Sequence, residues 1–201
     1  MYRSLSLLFV LAGAAAVHAQ HGEAHELGEN LPYMPSIGLE ALPYSFPGPE
    51  DVINRQVNIS PTGMDILNDA ANEPSIWVDL LNPNEMVIAW RQFDNINSDF
   101  RQAGVAYSHD GGLTWTNVSP LDPGVFRSDP VLTGDLQGNF YLNSLNYNAS
   151  NQIVTTLFRS SNGASWTTVG ESRGGDKAWI ARDNTGGVGD GNLYNNWNWT
   201  A

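Results

Sequence analysis

Cysteine is absent from the 201 residues, and lysine occurs once, at Lys177. An exported chain without cysteine must be held by its core, because no disulfide can staple it. Cations are scarce as well: nine Lys and Arg stand against 21 Asp and Glu, for a net charge of −12. Such a balance cannot hold a polyanion by broad electrostatics, which excludes nucleic acid and anionic membranes as partners. The one apolar run is at the start, where MYRSLSLLFVLAGAAAVHA carries Arg3, an apolar stretch and then Val17-His18-Ala19. This pattern over residues 1–19 predicts a secretory leader cut after Ala19, too short in its apolar part to be inserted across a membrane. The expected location is secreted or periplasmic. Helical periodicity is missing too. What fills the chain instead is short alternating runs broken by Gly, Asn, Asp and Pro, which predicts an all-β protein.

Residues 20–70 read as a Pro-rich, extended lead-in, interrupted by Pro32, Pro35, Pro43, Pro47, Pro49 and Pro61, with a strand near Val57–Ile59. His21 and His25 lie in H-G-E-A-H-E. A zinc protease needs H-E-x-x-H, with its general base beside the first His, and Gly22 occupies that place.

From residue 71 the chain repeats itself. Glu73 to Asp79, Glu85 to Arg91, Gly104 to Ser108 and Thr114 to Asn117 read as four strands joined by turns. The pattern restarts at Asp129-Pro130-Val131-Leu132 and runs through Asn139 to Asn143, Ile153 to Phe158 and Ser165 to Thr168. A third restart begins at Asp176-Lys177-Ala178-Trp179 and continues to Trp197. Pro74 and Pro130 are 56 positions apart, and Trp115 and Trp166 are 51 apart. Four-strand units of roughly 40–55 residues are the signature of propeller blades. Residues 71–201 hold about two and a half such units, fewer than the ~4 that a closed ring requires. The expectation is an incomplete propeller, the front part of a larger protein or the product of a truncated reading frame.

Ser108-His109-Asp110-Gly111-Gly112-Leu113-Thr114-Trp115 fits S-x-D-x-G-x-T-W at every fixed position. This is the Asp-box of bacterial-neuraminidase-type repeats, and from about residue 71 onward the chain resembles the sialidase-like propeller superfamily. A degenerate second copy is Ser160-Ser161-Asn162-Gly163-Ala164-Ser165-Trp166; aligned on its Trp, it has Ser161 in the place of Asp110. The motif is a structural device. Its Asp accepts hydrogen bonds from nearby backbone donors, its Gly supplies a left-handed backbone, and its Trp covers apolar surface. Ser108, Asp110, Gly112, Thr114 and Trp115 are therefore expected to build a turn and not to catalyse.

In a four-stranded antiparallel meander the start of strand 1 and the 2–3 loop share one end, and the 1–2 and 3–4 turns share the other. The Asp-box turn thus lies opposite the end that holds Glu73, Arg91, Asp94, Asp99, Arg101, Arg127, Asp129, Asp176 and Lys177. Three of the arginines, Arg91, Arg101 and Arg127, gather there in a very acidic protein. The sialidase resemblance implies an arginine triad for the sugar carboxylate, a loop Asp as acid/base and a Tyr backed by Glu as nucleophile, a departure from the two-carboxylate scheme. It places Arg91 as a triad member, Asp99 and then Asp94 as the acid/base, and Asp129 in Ser128-Asp129-Pro130 against the sugar's substituents. Arg101 and Arg127 are the further substrate-binding candidates.

Two departures stand against activity. The superfamily's first Arg lies in an R-I-P motif, and here the stretch reads Asn72-Glu73-Pro74-Ser75, which puts a carboxylate where a carboxylate would be bound. The nucleophilic Tyr, its Glu and the third Arg would lie in later blades. The 183–192 stretch, with Asp183 and Asp190, has the oxygen-rich look of a calcium loop without the D-x-D-x-D-G spacing, and reads as a Gly-rich hairpin turn. No other cofactor is expected. Sequons at Asn58, Asn117, Asn148 and Asn198 matter where the host glycosylates. The leading reading is a secreted, glycan-handling propeller, part or relic of an exo-glycosidase. The alternatives are a non-catalytic repeat module for surface adhesion or scaffolding, and a different propeller hydrolase or lyase.

Overall fold

The computed structural model describes residues 40–43 and 53–198. The expected leader and His21/His25 lie outside them. Among the described residues there is no helix, and so none long and apolar enough to cross a membrane. The chain is all-β.

Two short strands, β1 (Glu40–Ala41) and β2 (Asp65–Ile66), pair with each other ahead of the repeats. The strand expected near Val57–Ile59 shrinks to a single bridge between Ile59 and Asp65. Pro61 follows closely, and a proline lacks the N–H that a longer ladder would use. The first repeat then forms a four-stranded antiparallel sheet from β3 (Ala70–Val78), β4 (Met86–Phe93), β5 (Arg101–Ser108) and β6 (Thr116–Asn117). The second forms another from β7 (Ser128–Gly134), β8 (Phe140–Tyr147), β9 (Ile153–Ser160) and β10 (Thr167–Arg173). In the third, β11 (Asp176–Arg182) pairs with β12 (Leu193–Asn198). Both four-stranded sheets are meanders in chain order.

β7 packs against β3 and β4 on one side and against β11 on the other. The core fills the space between the first two sheets. Val87, Ala89 and Val105 come from the first, and Leu132, Phe140, Leu142 and Phe158 from the second. Trp77, Tyr107 and Trp166 close its margins. Fully burying side chains of this size stabilises by about 1.5–3 kcal/mol each. Polar side chains tie neighbouring sheets together. Ser75 Oγ accepts from the Leu132 backbone N–H at 2.9 Å, and Asn143 Nδ2 donates to the Ala178 carbonyl at 3.1 Å.

The first strands share an irregularity. The ladder shifts register between Asn72 and Ser75, between Ser128 and Val131, and between Asp176 and Trp179. Glu73 (φ 51°), Asp129 (φ 48°) and Lys177 (φ 49°) sit at these bulges in left-handed conformation. Such a backbone is unfavourable for a side chain larger than glycine, so the surroundings must hold it. In each repeat the bulge residue stands six positions before an Asp, at Asp79, Asp135 and Asp183. Those aspartates accept backbone N–H bonds in the 1–2 turns, for example from Leu81, Gln137 and Thr185.

Candidate functional site

Strand direction puts the bulges and the 3–4 turns, which hold Asp110 and Asn162, at opposite ends, as the meander parity requires. At the turn end, Asp110 Oδ1 accepts from the Thr114 N–H at 2.8 Å and Oδ2 accepts from Thr114 Oγ1 at 2.6 Å. Ser108 Oγ donates to Asp110 Oδ1 at 2.8 Å and accepts from the Gly112 N–H at 2.9 Å. These donors hold the Asp110 carboxyl down at about 2. Gly112 has φ 84°, and Trp115 Nε1 donates to its carbonyl at 3.1 Å. The second turn corrects the alignment made on its Trp. Asn162, not Ser161, takes the role of Asp110: its Oδ1 accepts from the Ala164 and Ser165 N–H groups, both at 3.0 Å. Trp166 Nε1 donates to the Gly163 carbonyl at 2.9 Å. The second turn is one residue shorter, which hid this equivalence.

At the other end, the three bulges bring Glu73, Asp129 and Lys177 together, and Arg91 joins them from β4. Arg91 Nη2 lies 3.1 Å from Glu73 Oε1, and its Nε donates to Asn72 Oδ1 at 2.7 Å. Lys177 Nζ lies 3.9 Å from Glu73 Oε2, and the Lys177 backbone N–H donates to Asp129 Oδ2 at 3.0 Å. Ser128 Oγ donates to Asp129 Oδ1 at 2.8 Å, and Arg101 Nη1 donates to the same hydroxyl at 3.3 Å. Glu73 Oε2 is sealed from solvent, and no N–H or O–H group reaches it among the described residues. Burial raises the Glu73 carboxyl above its usual value, and a hydrogen bond with the Asp129 carboxyl adds to this, against the opposing charges of Arg91 and Lys177.

Comparison with known proteins adds little to this geometry. No family model matches the sequence, and no curated protein matches it. A solved structure from work on the GH130 family of mannoside phosphorylases, which "contains glycoside hydrolases that target beta-1,2 mannosidic linkages in Candida mannan", aligns at 18% identity with a TM-score of 0.39. The alignment covers 70% of this chain and 44% of that one, so the chain spans under half of its length.

The other expected site residues are placed differently. Arg127 is 5% exposed, with Nη2 on Asp122 Oδ2 at 2.6 Å and its guanidinium 4.8 Å from the centroid of the Phe158 core ring. Its Nε and Nη1 are buried, with no hydrogen-bond partner among the described residues. That is a structural position between the sheets, not a substrate-facing one. Arg101 is 3% exposed, stacks on Phe126 and reaches the cluster through Ser128. Asp94 is buried, accepts from Gln102 Nε2 at 2.7 Å, and lines a separate cleft of about 110 Å³ with Asp69 and Gln92. Burial, reinforced by the Asp65 charge, raises the Asp69 carboxyl there despite hydrogen bonds from Asn58, Ala70 and Gln92. Asp99 is exposed on the β4–β5 loop, and no hydrogen bond or ion pair joins it to Glu73 or Asp129 among the described residues.

A larger cleft of about 340 Å³ lies at the turn end, beside Pro43, Arg55, Ile59, Leu113 and Trp115, and holds no carboxyl group. Asp183 Oδ1 accepts from the Thr185 N–H at 2.9 Å and its Oγ1 at 2.6 Å, while Asp190 Oδ1 accepts from the Gly186 N–H at 3.3 Å. These carboxylates organise a hairpin turn. Among the described residues no group of three or more His, Cys, Asp and Glu is placed to hold a metal ion.

Sequence reading placed Glu73 and Lys177 at this end without making them site residues. The signal was present: Glu73-Pro74 and Asp129-Pro130 put proline inside a strand flanked on both sides, which a strand tolerates at a bulge. The common six-residue distance to the turn Asp adds Lys177 to the set.

Proposed function

We propose that this chain is a section of a secreted, sialidase-like β-propeller that handles glycans, part or relic of an exo-glycosidase, with its binding end at the bulges. The observation that supports this best is the repeat. Two meanders carry the same Ser-centred turn at one end, and three adjacent first strands present Glu73, Asp129 and Lys177 at the other. The Lys177 and Glu73 side chains, each about a third exposed, can donate to and accept from sugar hydroxyls, while the buried Asp129 holds the bulge beside them. A second reading, a non-catalytic Asp-box module for surface adhesion, is favoured by one observation: neither Asp94 nor Asp99 joins the cluster.

The test is glycan-array binding by the folded chain beside Asp129→Asn, with circular dichroism to confirm that both are folded. Binding lost in the variant supports the reading. Absence of glycan binding, or binding indifferent to Asp129→Asn, refutes it. Release of sialic acid from a fluorogenic sialoside by this chain would refute the further expectation that it lacks sialidase activity by itself.

A further inference from the structure

We propose that the cleft at the turn end is a second binding site, for a small amphipathic carboxylate: an apolar chain with one anionic end. The proposal goes beyond the glycan reading, because this cleft shares no residue with the bulge cluster. At about 340 Å³ it falls within the range of small-molecule sites, about 300–1,000 Å³. Much of its wall is apolar. Pro43 and Ile59 from the lead-in line it together with Leu113 and Trp115 of the Asp-box hairpin. Leu113 is 52% exposed, which leaves its side chain within reach of a ligand. Trp115 Nε1 already donates to the Gly112 carbonyl, so the indole offers apolar ring surface and no free N–H.

One charge interrupts this wall. Arg55 is exposed, and two carbonyls orient its guanidinium: Nε donates to Leu113 O at 3.1 Å and Nη1 to Asn54 O at 3.3 Å. Among the described residues no carboxylate pairs with Arg55, no group accepts from its Nη2, and no carboxyl lines the cleft. A guanidinium with N–H groups to spare is matched by a carboxylate oxygen. A second negative charge would be opposed by Asp110, which is bonded to the lining residue Thr114 and stays ionised down to about pH 2. The net charge of −12 opposes a polyanion further. An apolar wall with one oriented, unpaired cation therefore fits a monoanion that carries an aliphatic chain.

The experiment titrates the folded chain with hexanoate at constant ionic strength and follows amide and indole N–H resonances by NMR. Two comparators run beside it: 1-hexanol, which keeps the chain without the charge, and acetate, which keeps the charge without the chain. The expected result is saturable shifts at Leu113, Thr114 and the Trp115 indole. Hexanoate should bind roughly threefold tighter than 1-hexanol, on the order of one exposed ion pair. It should bind at least tenfold tighter than acetate, because each buried methylene contributes about fourfold. Arg55→Gln, a change at an exposed side chain, should bring hexanoate to the affinity of 1-hexanol and leave 1-hexanol itself unchanged. Leu113→Asn should weaken both and keep their ratio. The proposal is overturned if no saturable shift appears at these positions up to about 50 mM, well above the millimolar affinities at which small fragments bind. Equal affinity for hexanoate and either comparator overturns it as well, as does an Arg55→Gln chain that binds hexanoate unchanged. None of these outcomes bears on glycan binding at the bulges, which Asp129→Asn tests separately.

Discussion

Gly104 lies directly across from Trp90 in the β4–β5 ladder, and the indole covers it. A Cβ added at Gly104 would fall 2.2 Å from Trp90 Nε1 and 2.3 Å from Cε2, where ordinary contact begins near 3.4 Å. Trp90 has little freedom to yield. It is 2% exposed, and its Nε1 donates to Gln92 Oε1 at 2.6 Å. Gln92 in turn donates to the Asp69 carboxylate and to the Ala70 and Phe93 carbonyls, so a displaced ring pulls on the anchor of the lead-in. Overpacking of this kind costs about 1–3 kcal/mol, and a strained buried hydrogen bond adds about 1. Gly104→Ala should therefore lower the unfolding free energy by about 2–4 kcal/mol, or roughly 4–16 °C in Tm for a chain of this size. Gly170→Ala is the control, because a Cβ there meets no atom within 4 Å. Urea denaturation of both variants measures the difference, and Trp90→Leu added to Gly104→Ala should recover part of the loss through direct coupling. A Gly104→Ala protein with the unmodified midpoint and slope would refute this packing.

Acid should weaken the turn end in a defined window. The Asp110 carboxyl titrates near 2 in the folded chain against 3.8 ordinarily, so its stabilisation is complete above about 4 and is lost as pH falls toward 2. Hydrogen bonds shift Asp135 and Asp183 in the same direction. Asp110→Asn, which imitates the second turn, should reduce the fall in stability between pH 4 and 2, measured by urea midpoints; an unchanged acid limb would contradict it. Arg127→Ala should cost about 1.5–3 kcal/mol through the lost charged hydrogen bond to Asp122 and the lost cover over Phe158. An unaltered denaturation curve would contradict that structural role.

Strands and their ends were legible because alternating runs such as Glu85 to Arg91 are bounded by Asn-, Asp- and Gly-rich turns, and strand parity then sorts the loops. Side-chain fate was not. Arg91, Arg101 and Arg127 look alike in sequence, yet only packing decides that Arg127 reaches Asp122 and lies over Phe158 while Arg91 meets Glu73. The degenerate second turn was misread because alignment on Trp166 assumed equal loop length, whereas the hydrogen bonds follow Asn162. Glu73 was read as a missing arginine, and its contacts with Arg91 and its facing of Asp129 came only from three-dimensional neighbours.

Cover falls steeply across the second sheet: every residue of β7 is buried, and every residue of β10 is exposed. Backbone amides open most readily where few apolar contacts hold them, so deuterium should enter from β10 inward and reach β7 last. The residue that carries Asp129 thus belongs to the slowest-exchanging strand of its sheet. Fraying of the outer strand can come and go without loosening the bulge at Asp129, whose left-handed backbone stays anchored in the strand of its sheet that opens least.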